Sequence, residues 1–198
     1  MEQYPTVKRK LALLVESACT AKLWLVQEKG IGEDMPSTLV GWESHKINVL
    51  VQADERLRAK PLEERHRRLR RVALCIMKGW APEEMTLISE GYCNVGTEDD
   101  DRPLAEAFVD NPDVKECLTF VHVTPRLKPL VIAVPYSCGL GRVTTFDMPS
   151  RAYTADFEEQ WQPLADALGF PPPFTPDPAK VVAEIDALGW AIGEDVWG

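Results

Sequence analysis

Apolar residues near the start of the chain recur every three to four positions. Leu11, Leu14, Ala18, Ala21 and Leu25 fall on one side of a helix, while Leu13, Leu23 and Trp24 form a second apolar face. The spacing predicts a largely buried helix over residues 6–28. After Gly30 and Gly32 the period switches to two. Thr38 to Trp42 and Ile47 to Val51 read as the strands of a hairpin that turns around Glu43, Ser44, His45 and Lys46. Pro61 opens a second helix, in which Leu62, His66, Leu69, Ala73 and Ile76 line one face as far as Lys78 and Gly79. A strand follows from Met85 to Cys93, and a helix of this length between strands permits a parallel crossover from the strand at 47–51.

Asp101 is placed to cap a short helix over residues 102–108. Three further strands, 116–123, 129–136 and 142–147, are separated by turns at Pro125 and at Gly139 and Gly141, which predicts an antiparallel meander. Beyond Pro149 two short helices, 157–168 and 178–188, flank Pro171, Pro172 and Pro173, a run no helix continues through. Together the elements predict an α+β fold: a mixed, mostly antiparallel sheet of about five strands packed by two main helices, with short C-terminal helices. Residues 1–150 are expected to form a single core domain. Residues 151–198 are expected to form a helical, Pro/Trp-rich extension packed on that core or on a partner.

Composition narrows the class. With 198 residues, 45% hydrophobic and 27% charged, the chain suits one globular core and excludes a disordered chain, a collagen-like repeat and a disulfide scaffold. The stretch from Leu11 to Val26 is interrupted by Glu16, Ser17, Thr20 and Lys22, so no membrane association is expected. Five widely spaced cysteines without C-x-x-C spacing read as reduced thiols of a cytoplasmic protein. A formal charge of -9 repels nucleic acid, so no nucleic-acid partner is expected.

Candidate chemistry falls in a few places. Alternation puts Ile88, Glu90 and Tyr92 on one strand face, and Leu118, Phe120 and His122 on another. If those strands are neighbours, Glu90 and His122 could form an acid–base pair, with Tyr92 and Tyr136 as ligand-binding residues on the same face. The plainer alternative pairs Glu90 with a nearby cation and leaves His122 a satisfied sheet residue. Cys138, between Ser137 and Gly139 and near Arg142, is a candidate exposed nucleophile, although its glycines equally suit a hairpin.

The run from Arg56 to Arg71 reverses the sign of the chain. Glu63 with Arg67 and Glu64 with Arg68 have the favourable i,i+4 order, which leaves Arg65, Arg70 and Arg71 to meet an acidic segment of the protein itself or of a partner. Trp190 and Trp197 are further candidate partner contacts. The three histidines share no metal-ligand spacing, and neither a metal nor another cofactor is expected.

The strand pair, the Arg-rich helix after Pro-Leu-Glu-Glu, the strand Leu87-Ile88-Ser89-Glu90-Gly91-Tyr92 and the segment Asp113-Val114-Lys115-Glu116-Cys117-Leu118 resemble a group of uncharacterised small bacterial and phage α+β proteins. The resemblance covers roughly residues 38–147 and implies the fold, with no activity to carry over. Gly91 and Tyr92 stand where the group tends to have alanine and tryptophan. From the residues, the leading expectation is a non-catalytic accessory or binding protein acting through protein contacts, including self-association. The alternative is a small-molecule-binding protein or enzyme with its site on the sheet face of Glu90 and His122.

Overall fold

The computed structural model describes residues 5–30, 33–96, 104–125, 127–139, 142–146, 151–154, 162–169 and 175–193. In chain order the elements are α1 (Pro5–Lys29), β1 (Thr38–Glu43), β2 (Lys46–Ala53), α2 (Glu55–Arg58), α3 (Leu62–Trp80), β3 (Glu84–Asn94), α4 (Leu104–Ala107) and β4 (Val114–Thr124). They continue with β5 (Leu127–Gly139), β6 (Arg142–Phe146), β7 (Arg151–Thr154), α5 (Gln162–Gly169), a 3-10 turn (Pro178–Lys180), α6 (Val182–Ala187) and β8 (Trp190–Ile192). The fold is α+β. No helix among the described residues is long and apolar enough to cross a membrane.

Among the described residues the sheet has eight strands, more than the five or so expected. Their order is β6-β5-β4-β3-β1-β2-β8, and β7 pairs with β5. β7 and β8, of four and three residues, are too short to show an alternating pattern. β1 is antiparallel to both β2 and β3, so those two run parallel with β1 between them. The crossover through α3 therefore exists, but it skips over the hairpin strand, a split β-α-β arrangement. The hairpin turn carries Ser44 at φ 46° and His45 at φ 74°. Two consecutive positive φ values match the right-handed twist of the strands, but they are the conformation asparagine and glycine adopt most cheaply.

The chain divides into two compact units. One comprises Met1–Met35, Ser89–Phe120 and Ile132–Ala152, the other Pro36–Ile88, Val121–Val131 and Tyr153–Gly198. Residues 153–198 fall in the second unit, with the hairpin and α3. The cause is packing. Trp190 to Ile192 add a strand to the edge of β2, and Trp190, Ile185, Leu188, Val181, Leu164 and Leu168 share one core with Val72, Ile76 and Leu39. Gly79 on α3 lets the C-terminal segment approach: a Cβ there would lie 2.7 Å from Val181 Cγ2.

The first unit has its own apolar interior. Leu11, Leu14, Val15, Ala18 and Val26 line the buried side of α1, and Leu118, Phe120, Val134 and Tyr136 are buried on its strands. Burying side chains of this size contributes roughly 1.5–3 kcal/mol each before entropy is counted. Lys22 stands in that same buried row, four residues after Ala18 and four before Val26, and it is 4% exposed.

Candidate functional site

A helix that buries a lysine must supply it with partners, because an isolated ammonium in an apolar interior is too costly to keep charged. Lys22 Nζ lies 2.7 Å from Glu90 Oε1 and donates to the Glu33 carbonyl at 3.0 Å. Its third direction faces the Tyr136 ring, whose centroid is 5.3 Å away, a cation–π distance. Glu90 lies on β3 and its side chain is only 10% exposed. The Met35 backbone N–H and the Asp34 carboxyl both act on it.

The electrostatics follow from this arrangement. Desolvation pushes the Glu90 pKa up to about 7, outweighing the opposing pull of Lys22 and the Met35 N–H, and Asp34 adds to the rise. Tyr136 is buried and its phenol is raised first by desolvation and then by Glu90 and Glu116. Tyr92 is raised by desolvation, then by Glu116, Asp34 and Glu90. Tyr92 also packs on Phe108 with ring centroids 4.8 Å apart, and Tyr136 meets Phe146 edge-on at 5.8 Å. Asp34, Glu90 and Glu116 thus act on the same two phenols, and Lys22 lies beside Glu90 and over the Tyr136 ring.

His122 belongs to the other unit and has different partners. Trp42 Nε1 donates to Thr86 Oγ1 at 2.8 Å, and that hydroxyl lies 2.9 Å from His122 Nδ1. His122 Nε2 is 3.2 Å from Glu84 Oε2. Glu84 beside Nε2 and the threonine hydroxyl beside Nδ1 give the ring a polar neighbour on each side. The order carboxylate, imidazole, hydroxyl is that of a hydrolase triad. Thr86 is 0% exposed beneath Trp42, however, so the chain of bonds serves the interior.

The faces expected from alternation therefore hold, since β3 meets β4 through even-numbered residues, but the register differs from the acid–base proposal. His122 takes its β3 hydrogen bond from Thr86, four residues short of Glu90. Glu90 instead joins Tyr136 and Tyr92 in one cluster. Cys138 is exposed, and its thiol is raised first by desolvation and then by Glu116, the opposite of an activated nucleophile.

The arginine helix meets acids of its own chain. Arg68 Nε binds Glu64 at 2.8 Å, the expected i,i+4 pair, and Arg67 reaches the same Glu64 in place of Glu63. Arg71 pairs with Glu184 at 3.0 Å and Arg70 lies 4.0 Å from Asp166, while Arg65 is exposed. Trp190, a candidate partner contact, is instead 1% exposed in the core; Trp197 lies outside the described residues. Among the described residues, no three His, Cys, Asp or Glu side chains converge closely enough to hold a metal ion. The sequence matches no family model, no curated protein and no solved structure closely enough to show a relationship.

Lys22 is the central residue that sequence reasoning passed over. Its signal was present: a lone charge between Ala18 and Val26 on the stripe that also holds Leu11 and Leu14. Read as an interruption of an apolar run, it excluded a membrane span. Read as an inward-facing cation, it demands a buried anion.

Proposed function

We propose that the protein binds a small organic cation at the cluster of Glu90, Asp34, Glu116, Tyr92 and Tyr136. The observation that supports this reading is the Glu90 carboxyl, pushed up to about 7 although an ammonium lies beside it. Three carboxylates against one lysine give a local formal charge of -2, counted from Asp34, Glu90, Glu116 and Lys22. A proton taken up near neutrality relieves part of that excess, and an amine taking its place would relieve it as well. The aromatic rings suit such a ligand, because a cation over a phenol face gains about 0.5–2 kcal/mol. A thermal-shift screen with 1,4-diaminobutane, spermidine, arginine and choline, beside matched carboxylates and phosphates, tests the reading. One of the amines is expected to stabilise the protein and to lose its effect in Glu90→Gln. Stabilisation confined to anions, or retained in that variant, contradicts it.

A second reading, contact with a second copy of the chain, is favoured by α1. Leu13 is 61% exposed and Trp24 59%, and their eleven-residue separation puts both on one side of the helix. Light scattering of the wild type and of Trp24→Glu decides it: a dimer in the first and a monomer in the second support self-association, and a monomer in both excludes it.

A further inference from the structure

The outward side of α1 carries a row whose spacing is the same from either end. Arg9, Leu13, Ser17, Thr20, Trp24 and Glu28 are separated by four, four, three, four and four residues. At 3.6 residues per turn they stay within about 100° of one another around the helix and span about 28 Å along it. Ser17 is half-buried and the other five are exposed. The two ends carry opposite charges, the positions inside them large apolar side chains, and the middle two small hydroxyl residues. Thr20 Oγ1 donates to the Glu16 carbonyl at 3.0 Å, so a hydroxyl already satisfied within the helix stands at the middle of the row.

We propose that two copies of the chain pair through α1 in antiparallel orientation, with Arg9 of each copy against Glu28 of the other. This rests on the reading of α1 as a self-association surface and adds which residues meet. A two-fold axis across the midpoint of the row exchanges its ends, so each residue meets the one equally far from that midpoint: Arg9 meets Glu28, Leu13 meets Trp24 and Ser17 meets Thr20. Glu16, a further exposed charge on this side, meets Ala21. The row follows the i±4 ridge of the helix except at its single step of three, and that ridge is the one that interdigitates in the commonest class of helix packing.

The charges decide the direction. A parallel pair would set Arg9 against Arg9 and Glu28 against Glu28, like charges at both ends of the row. The antiparallel pair holds two ion pairs instead, outside two contacts between Leu13 and Trp24, with the small side chains of Ser17 and Thr20 where the helices cross. It also takes out of water Leu13 and Trp24, the most exposed large apolar side chains among those described on α1.

The test is sedimentation of the whole protein at low ionic strength, which gives the dimer dissociation constant of the wild type, Arg9→Glu, Glu28→Arg and the double reversal. Each single reversal sets like charges against each other at both ends of the row and should weaken the dimer about tenfold. The double reversal restores both ion pairs and should return the constant to within about threefold of the wild type. That recovery also shows that a weakened single variant has lost its partner charge and not its fold. A wild type that stays monomeric at high micromolar concentration overturns the proposal and the self-association reading together. A wild-type dimer that both single reversals leave unchanged, or that the double reversal fails to restore, overturns the antiparallel pairing alone and leaves self-association standing.

Discussion

Glu90 Oε1 lies 2.7 Å from Lys22 Nζ, and yet burial lifts the carboxyl pKa from 4.5 to about 7. An ion pair that fails to keep its acid ionised is a poor stabilising device; apolar residues of the same volume would often serve the fold as well or better. That cost is the physical reason for proposing ligand chemistry at the cluster.

Stability should fall as pH rises across this window. Between pH 4.5 and about 7 the folded chain retains a proton on Glu90 that the unfolded chain has released, so the folded state is favoured at the acid end and the advantage is gone above about 7. The shift corresponds to about 3 kcal/mol in all. Asp54, Glu64 and Glu184, whose pKa values are lowered, act in the opposite sense and below this window. Urea midpoints from pH 5 to 8 should show the decline in the wild type and a flatter profile in Glu90→Gln, which should exceed the wild type at pH 8.

Thr86 holds two buried partners, so losing its hydroxyl should cost more than one hydrogen bond. Thr86→Val keeps the shape but leaves Trp42 Nε1 and His122 Nδ1 without their shared partner. About 1–3 kcal/mol should be lost, since both groups lose the buried hydroxyl they share. Urea unfolding followed by tryptophan fluorescence measures it, and a loss below about 1 kcal/mol would show that the groups find other partners.

The turn between β1 and β2 is open to improvement. Ser44 and His45 occupy positive φ at 46° and 74°, so Ser44→Asn with His45→Gly should raise stability by about 1 kcal/mol. The Ser44 backbone N–H, which donates to Glu83 at 3.0 Å, is kept in this variant. Thermal unfolding with a lower midpoint would mean that the side chains contribute more than the backbone strain costs.

Trp190 tests whether the C-terminal segment is part of the core. Its ring is 1% exposed, and Gly189 before it sits at φ +83°. Trp190→Ala should cost about 3–5 kcal/mol as a large-to-small core change. Gly189→Ala should cost at least about 1 kcal/mol, because alanine at positive φ is strained and its Cβ would lie 3.3 Å from Asp54 Oδ1. If both variants unfold with the wild-type midpoint in urea, the segment is not integral to the fold.

Much of this architecture is legible in the sequence because long periodic elements carry their own pattern. The stripe through Leu69, Ala73 and Ile76 predicts α3, and the alternation through Ile88, Glu90 and Tyr92 predicts β3 and its faces. What local pattern does not encode is register. The strands announce that Glu90 and His122 share a kind of face, but which residue opposes which depends on how β3 and β4 slide, and the structure gives His122 to Thr86. Short elements escape for a related reason. Trp190 to Ile192 become a strand only because the edge of β2 is there to pair with, a fact located some 140 residues earlier in the chain. The acids facing Arg70 and Arg71 were foreseeable as charge balance, but not as Asp166 and Glu184.

The most direct measurement is a carbon-13 NMR titration of the Glu90 side-chain carboxyl from pH 5 to 9, with and without saturating 1,4-diaminobutane. Without the amine the midpoint is predicted near the value of about 7 set by burial. With it the midpoint should fall by at least about one unit, because a bound cation favours the carboxylate, and by linkage the amine should bind more tightly as pH rises through that range. A Glu90 midpoint in the ordinary range near 4.5, or one near 7 that the amine leaves unmoved, would contradict the assignment of this cluster as an organic-cation site.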